Sequence, residues 1–168
     1  ENGLINPKIN IKPIYVSPAG NDAYPGTNKS EPVRTIDIAI ERAKQYGYDY
    51  IYVQSAEFSL NNGLNKPGVS ITNISNIKLI GGFDNEFSKI IGQSFLNGGL
   101  PFSISNVINI QNSTNIELEN LKISGISYSA INHDSIGIRI VSSSNIVIKN
   151  CNFYSNTANS SMIQSSAL

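Results

Sequence analysis

Glu117 and Glu119 stand two residues apart in the alternating stretch Asn115-Ile116-Glu117-Leu118-Glu119. On an extended chain both carboxylates therefore leave the same face. Such a pair can hold a hard cation or can pair with cations of the protein itself. Calcium takes about six to eight oxygen ligands, usually with several carboxylates converging. Besides these two, the repeating part of the sequence offers Asp134. Lys78 and Lys149 occupy equivalent or adjacent positions in related segments. Opposite charges stacked one strand spacing apart, about 4.8 Å, make a solvated salt ladder. The ladder is the expected arrangement and a calcium site is the alternative.

The other reactive groups are scattered. His133, the sole histidine, lies beside Asp134. The pair suggests acid–base work, but it comes with no nucleophile or oxyanion donor, and turn chemistry explains it as well. Arg139, between Ile138 and Ile140, points outward without an acidic cluster. Cys151 has inward parity and reads as a small core hydrophobe. Asn21-Asp22 would hold a structural cation with Asp84 if the fold brought them together. Tyr46, Tyr48, Tyr50 and Tyr52 recur at period two. They form either an aromatic platform for sugar rings or packing beneath the loop 54–68. The ligand-binding candidates are thus Tyr48, Tyr50, Tyr52, Glu117, Glu119 and Arg139. No catalytic or metal-binding residue is assigned.

These side chains must be positioned by a repeat. Taking Asn76, Asn115 and Asn145 as equivalent, Ile77, Ile116 and Ile146 follow one residue later, and Leu79, Leu118 and Ile148 three later. Ile71, Ile110 and Ile140 precede the anchor by five. All apolar positions share one parity, the mark of strands with one buried face. Five residues after the anchor come Gly81, Asn120 and Asn150, residue types that enter the left-handed region cheaply. They are expected to be stacked structural bends with positive φ. A strand, a bend and a second strand, repeated, describe stacked units that bury their apolar faces on one another. The anchors lie 30 residues apart in the later pair and 39 in the earlier, the excess assigned to a loop over 84–106. An antiparallel sandwich with coincidental asparagines is the competing arrangement.

Twelve basic and twelve acidic residues cancel, so the chain carries no electrostatic footprint for nucleic acid. No apolar run approaches the roughly 20 residues of a membrane span, and no membrane insertion is expected. One cysteine excludes an intramolecular disulfide framework.

In chain order, residues 1–13 read as an irregular lead-in and 14–168 as a single domain. Ile14-Tyr15-Val16 is a short strand, and Thr35 caps a helix over 35–45 whose Ile36, Ala39, Ile40 and Ala43 form a narrow apolar face. Gly47 stops it, and Tyr50 to Val53 is the next strand.

Tyr15-Val16-Ser17-Pro18-Ala19-Gly20-Asn21-Asp22, Pro25-Gly26-Thr27, Pro32, Thr35-Ile36, Ala39-Ile40 and Ala43, then Ile51-Tyr52-Val53, resemble the entry segment of bacterial right-handed parallel β-helix proteins of the pectate-lyase-like superfamily. Gly81-Gly82-Phe83-Asp84 with Phe87-Ser88 resembles the glycine-rich loop after their first coils, except that Lys89-Ile90 stand where an arginine is common. The resemblance implies an all-β, right-handed parallel β-helix. A capping segment over about 14–60 carries the short α-helix across the first coil, and coils fill about 61–168, as the N-terminal part of a longer solenoid. It implies a secreted or cell-surface bacterial protein; because the outward faces offer only isolated charges, the chain is expected to be a module without activity of its own that binds a polysaccharide or surface protein. The alternative is the N-terminal part of a polysaccharide lyase or glycoside hydrolase whose catalytic coils lie beyond Leu168. Lyases of this fold combine calcium-binding carboxylates with a lysine or arginine base. The open last coil is expected to favour self-association through its edge.

Overall fold

In the computed structural model, residues 11–60, 67–98, 106–124, 136–154 and 163–166 are described. They make a mostly β structure of three parallel sheets with a single helix. The elements are β1 (Pro13–Val16), α1 (Ile36–Tyr46), β2 (Tyr50–Gln54), β3 (Glu57–Ser59), β4 (Val69–Thr72), β5 (Ser75–Phe83), β6 (Ser94–Asn97), β7 (Asn106–Gln111), β8 (Thr114–Glu119), β9 (Leu121–Ser124), β10 (Ile136–Val141), β11 (Ser144–Lys149), β12 (Asn152–Tyr154) and β13 (Ile163–Ser166). Sheet I runs β1-β2-β5-β8-β11, sheet II β4-β7-β10-β13, and sheet III β3-β6-β9-β12. From β4 onward the chain visits sheets II, I and III in that order, three times, and returns to II at β13. An antiparallel sandwich is excluded, because every strand pair of the sheets is parallel.

The register follows the asparagine anchors. Ile77 pairs with Ile116 and Ile116 with Ile146; Leu79 pairs with Leu118 and Leu118 with Ile148. Inward parity makes these columns the core: Ile71, Leu79, Ile108, Ile110, Ile116, Leu118, Leu121 and Ile123 are fully buried. Each such side chain contributes about 1.5–3 kcal/mol of transfer free energy.

Two corrections to the sequence reading concern corners. A pass contains three strands and not two, because a corner at Asn73, Asn112 and Ser142, with φ of 53°, 49° and 47°, divides sheet II from sheet I. Here a serine hydroxyl adds to the backbone bonds across the corner, such as Asn73 N to Gln111 O at 3.0 Å: Ser113 Oγ donates to Gln111 O at 2.8 Å and receives the Ile74 N–H at 3.4 Å. Ser143 Oγ likewise donates to Val141 O and accepts from Ser113 N. The segment 84–106, expected to be loop, contains β6, which pairs β3 on one side and β9 on the other. Ser94 and Leu96 point inward there and are fully buried.

The second corner carries Asn120 (φ 55°) and Asn150 (φ 53°). Gly81 is not left-handed; the positive φ belongs to Gly82, at 86°. The reason is a register shift between Tyr52 and Gln54 that lets β5 run on to Phe83. Gly81 is instead required by space, since a Cβ there would stand 2.5 Å from Asn120 O.

The helix follows its sequence signals. Thr35 Oγ1 accepts from Ile38 N, Gly47 closes the end at φ 67°, and Ile36, Ala39, Ile40 and Ala43 are buried. Asp37, in its first turn, accepts the N–H of Ser70 at 2.9 Å, occupying an edge amide of β4. A terminal edge is thereby covered by both apolar contact and a hydrogen bond. Pro13 belongs to β1 and not to the lead-in, at the first position of an outermost strand, where proline is tolerated.

Candidate functional site

The outward faces of the three sheets differ in how their charges are matched. On sheet I, Glu117 pairs laterally with Lys78 and Val147, while Glu119 pairs with Ile80 and Lys149. Glu117 nevertheless gathers both cations: Lys149 Nζ lies 2.6 Å from Oε1 and Lys78 Nζ 3.3 Å from Oε2. Lys149 reaches its carboxylate diagonally, a distance open to long side chains. Hydrogen bonding from Lys149, reinforced by Lys78, holds the Glu117 carboxyl below its ordinary range, and the bond to Glu117 pushes Lys78 up. Glu119 makes no ion pair among the described residues. Beside the ion pairs runs an amide ladder, Asn145 Nδ2 to Asn115 Oδ1 at 3.0 Å and Asn115 Nδ2 to Asn76 Oδ1 at 2.9 Å. Asn76, Asn115 and Asn145 are themselves left-handed, at 62°, 56° and 54°.

The tyrosine run divides in two, contrary to a single platform. Gly47 turns the chain between helix and strand, so Tyr46 and Tyr48 face each other at 5.9 Å, and Tyr48 packs against the main core. Tyr50 and Tyr52 lie on the outer face of sheet I. Tyr52 stacks on Phe83 at 4.3 Å and meets Tyr15 edge-on at 6.1 Å. Tyr15, Phe83 and Phe87 form a second apolar cluster against which Tyr52 packs. Burial pushes the Tyr15 and Tyr52 hydroxyls up. Tyr50 keeps a polar neighbour, with Lys78 Nζ 5.5 Å from its ring centre.

Sheet III presents a face the sequence reading passed over. Phe95, Lys122 and Asn152 share one row, and Asn97, Ser124 and Tyr154 the next. Lys122 Nζ stands 4.7 Å from the Phe95 ring centre and 4.6 Å from that of Tyr154. It has no acidic partner among the described residues. Amides edge the rings: Asn152 Nδ2 donates to Gln93 Oε1 at 2.8 Å, and Gln93 Nε2 to Asn150 O at 2.6 Å. Tyr154 is 45% exposed. Phe95 escaped notice because its strand lay in an assumed loop.

On sheet II, Arg139 is half-buried, and its Nη1 donates to Asn109 Oδ1 at 3.2 Å. The carboxylates of the suggested Asn21, Asp22 and Asp84 cation site are each engaged by donors of their own loop. Asp22 accepts from Arg34 N, Thr35 N and Thr35 Oγ1, whereas Asp84 accepts from Ser88 N and Oγ, which lower its carboxyl. Among the described residues no three His, Cys, Asp or Glu side chains are grouped as metal ligands. Cys151 packs against the core with its thiol raised by burial. His133 and Asp134 lie outside the described residues. No family model, curated protein or solved structure matches the chain.

Proposed function

We propose that the chain is a right-handed parallel β-helix, capped by α1 at its N-terminal end. On this reading it is a secreted or cell-surface module that binds a glycan without transforming it. The recurrent order of sheets II, I and III and the in-register columns support the winding. The resemblance of the entry segment supports the handedness and the location. The observation that carries the function is the cluster on sheet III in which Lys122 stands over the rings of Phe95 and Tyr154, beside the amides of Gln93 and Asn152. Aromatic faces receive the C–H faces of sugar rings, and planar amides on a flat sheet receive their hydroxyls. Sheet I suits the lyase alternative poorly. The carboxylate that such an enzyme would give to calcium is, at Glu117, engaged by two ammonium groups of the chain itself.

Affinity electrophoresis of the purified chain in gels containing neutral and acidic polysaccharides tests the reading. Retardation should fall at least tenfold in apparent affinity in Phe95→Ala/Tyr154→Ala, with the circular dichroism unchanged. Undiminished retardation in that variant, or none with any polysaccharide, would overturn it. Release of unsaturated product that vanishes in Glu117→Gln/Glu119→Gln would instead make the salt ladder of sheet I an active site.

A further inference from the structure

We infer that the groove beside Arg139 on sheet II is a carboxylate-binding site. The groove, of about 320 Å³, is lined by Pro67, Asn106, Asn109, Ile136 and Arg139. None of these is acidic. Register places Arg139 between Asn109 of β7 and Gln164 of β13, with Ser70 beyond Asn109, so no carboxylate shares its row. Both ion pairs among the described residues lie on sheet I and leave the guanidinium unneutralised.

The donors converge. A guanidinium has five N–H groups in a fixed fork, and Arg139 spends one on Asn109 Oδ1. Asn109 is only 8% exposed. With its carbonyl oxygen committed to Arg139, its amide N–H groups remain as donors on the same groove, and no described residue accepts from them. A ligand oxygen there would give them an acceptor. The free edge of the fork matches a carboxylate bidentately, and Pro67 and Ile136 supply apolar walls for the carbon body that carries it. The size suits a group no larger than a sugar acid or an acidic amino-acid side chain.

This site is independent of the aromatic face on sheet III, and the experiment keeps the two apart. The ¹⁵N-labelled chain is titrated with sodium glucuronate, with N-acetylglutamate and with glucose, and amide and guanidinium shifts are followed. Saturable shifts confined to residues 106–111 and 136–141 are expected with at least one acid and not with glucose. Glucuronate alone would identify a sugar acid as the source, N-acetylglutamate alone an acidic peptide, and both the carboxylate itself. Arg139→Lys should weaken binding about tenfold, because the planar fork is lost. Asn109→Asp should abolish it by supplying an internal carboxylate, while its spectrum elsewhere stays that of the native chain. Phe95→Ala should leave the titration unchanged. Equal binding of glucose, undiminished binding by Asn109→Asp, or no localised shift with either acid would overturn the assignment.

Discussion

Asn120 is where backbone conformation and side-chain bonding are combined in one residue, and three substitutions separate them. Its φ is 55°, it is 4% exposed, and its Oδ1 receives Asn150 Nδ2 at 2.8 Å. Its main chain is also committed: its N–H donates to Lys149 O at 3.2 Å and its carbonyl accepts from Ser94 N at 3.1 Å. The corner therefore cannot relax to negative φ without breaking bonds to the strands on both sides. Asn120→Gly keeps the conformation and removes only the ladder bond, costing about 1 kcal/mol. Asn120→Ala adds about 1 kcal/mol for a Cβ in the left-handed region. Asn120→Val adds β-branching, which makes that conformation a true outlier, so about 3 kcal/mol in all is expected. Urea unfolding should order the midpoints wild type, Gly, Ala, Val with the m-value unchanged. Thermal midpoints should fall by about 2–4 °C per kcal/mol for a chain of this size. A valine variant within about 0.5 kcal/mol of wild type, or a glycine variant less stable than the valine variant, would refute the view that conformation dominates. At the more exposed Asn150, the same valine substitution is expected to cost about 1–2 kcal/mol.

Gly81→Ala should destabilise by about 1–3 kcal/mol by overpacking, because its Cβ would meet Asn120 O at 2.5 Å and Ser94 Oγ at 2.8 Å; a near-neutral urea midpoint would show that the corner yields. Glu117→Gln should cost about 1 kcal/mol at neutral pH and low salt, the sum of two pairs with half-exposed lysines. Since the folded carboxyl is depressed, that difference should be complete above about pH 4.3 and vanish as pH falls through the folded value; a pH-independent difference would assign the effect to packing. Cys151, its thiol raised by burial, should react with iodoacetamide at pH 8 far more slowly in the folded chain than in urea; equal rates would contradict its place against the core.

What the sequence disclosed was what repeats. Ile77, Ile116 and Ile146 recur at a fixed offset from an asparagine, and stacking in register follows because each apolar face needs a neighbour. The helix was legible through its cap, its apolar stripe and its terminal glycine. The corner at Asn112-Ser113 was hidden because alternation keeps its parity across it: Ile110 and Ile116 both point inward, although they lie in different sheets. Only the positive φ of Asn112, with the Ser113 hydroxyl near Gln111 O, divides one apparent strand into two. Strand β6 was hidden because it is short and has no copy of the asparagine anchor.

Contacts between neighbouring passes were still less accessible, because they depend on reach as well as register. The sequence places Lys149 near Glu119, its partner in the sheet, yet the ammonium bonds to Glu117, where Lys78 already supplies a second cation. Gathering both ammonium groups on one carboxylate consumes sheet I electrostatically and leaves Glu119 without an ion pair among the described residues. Lys122 and Arg139 belong to the other two faces, where the neighbouring strands contribute rings and amides in place of acids. An anion or a sugar bound on these faces would supply the partner that neighbouring strands do not. The distribution of matched and unmatched charge thus supports the recognition proposed for sheets II and III.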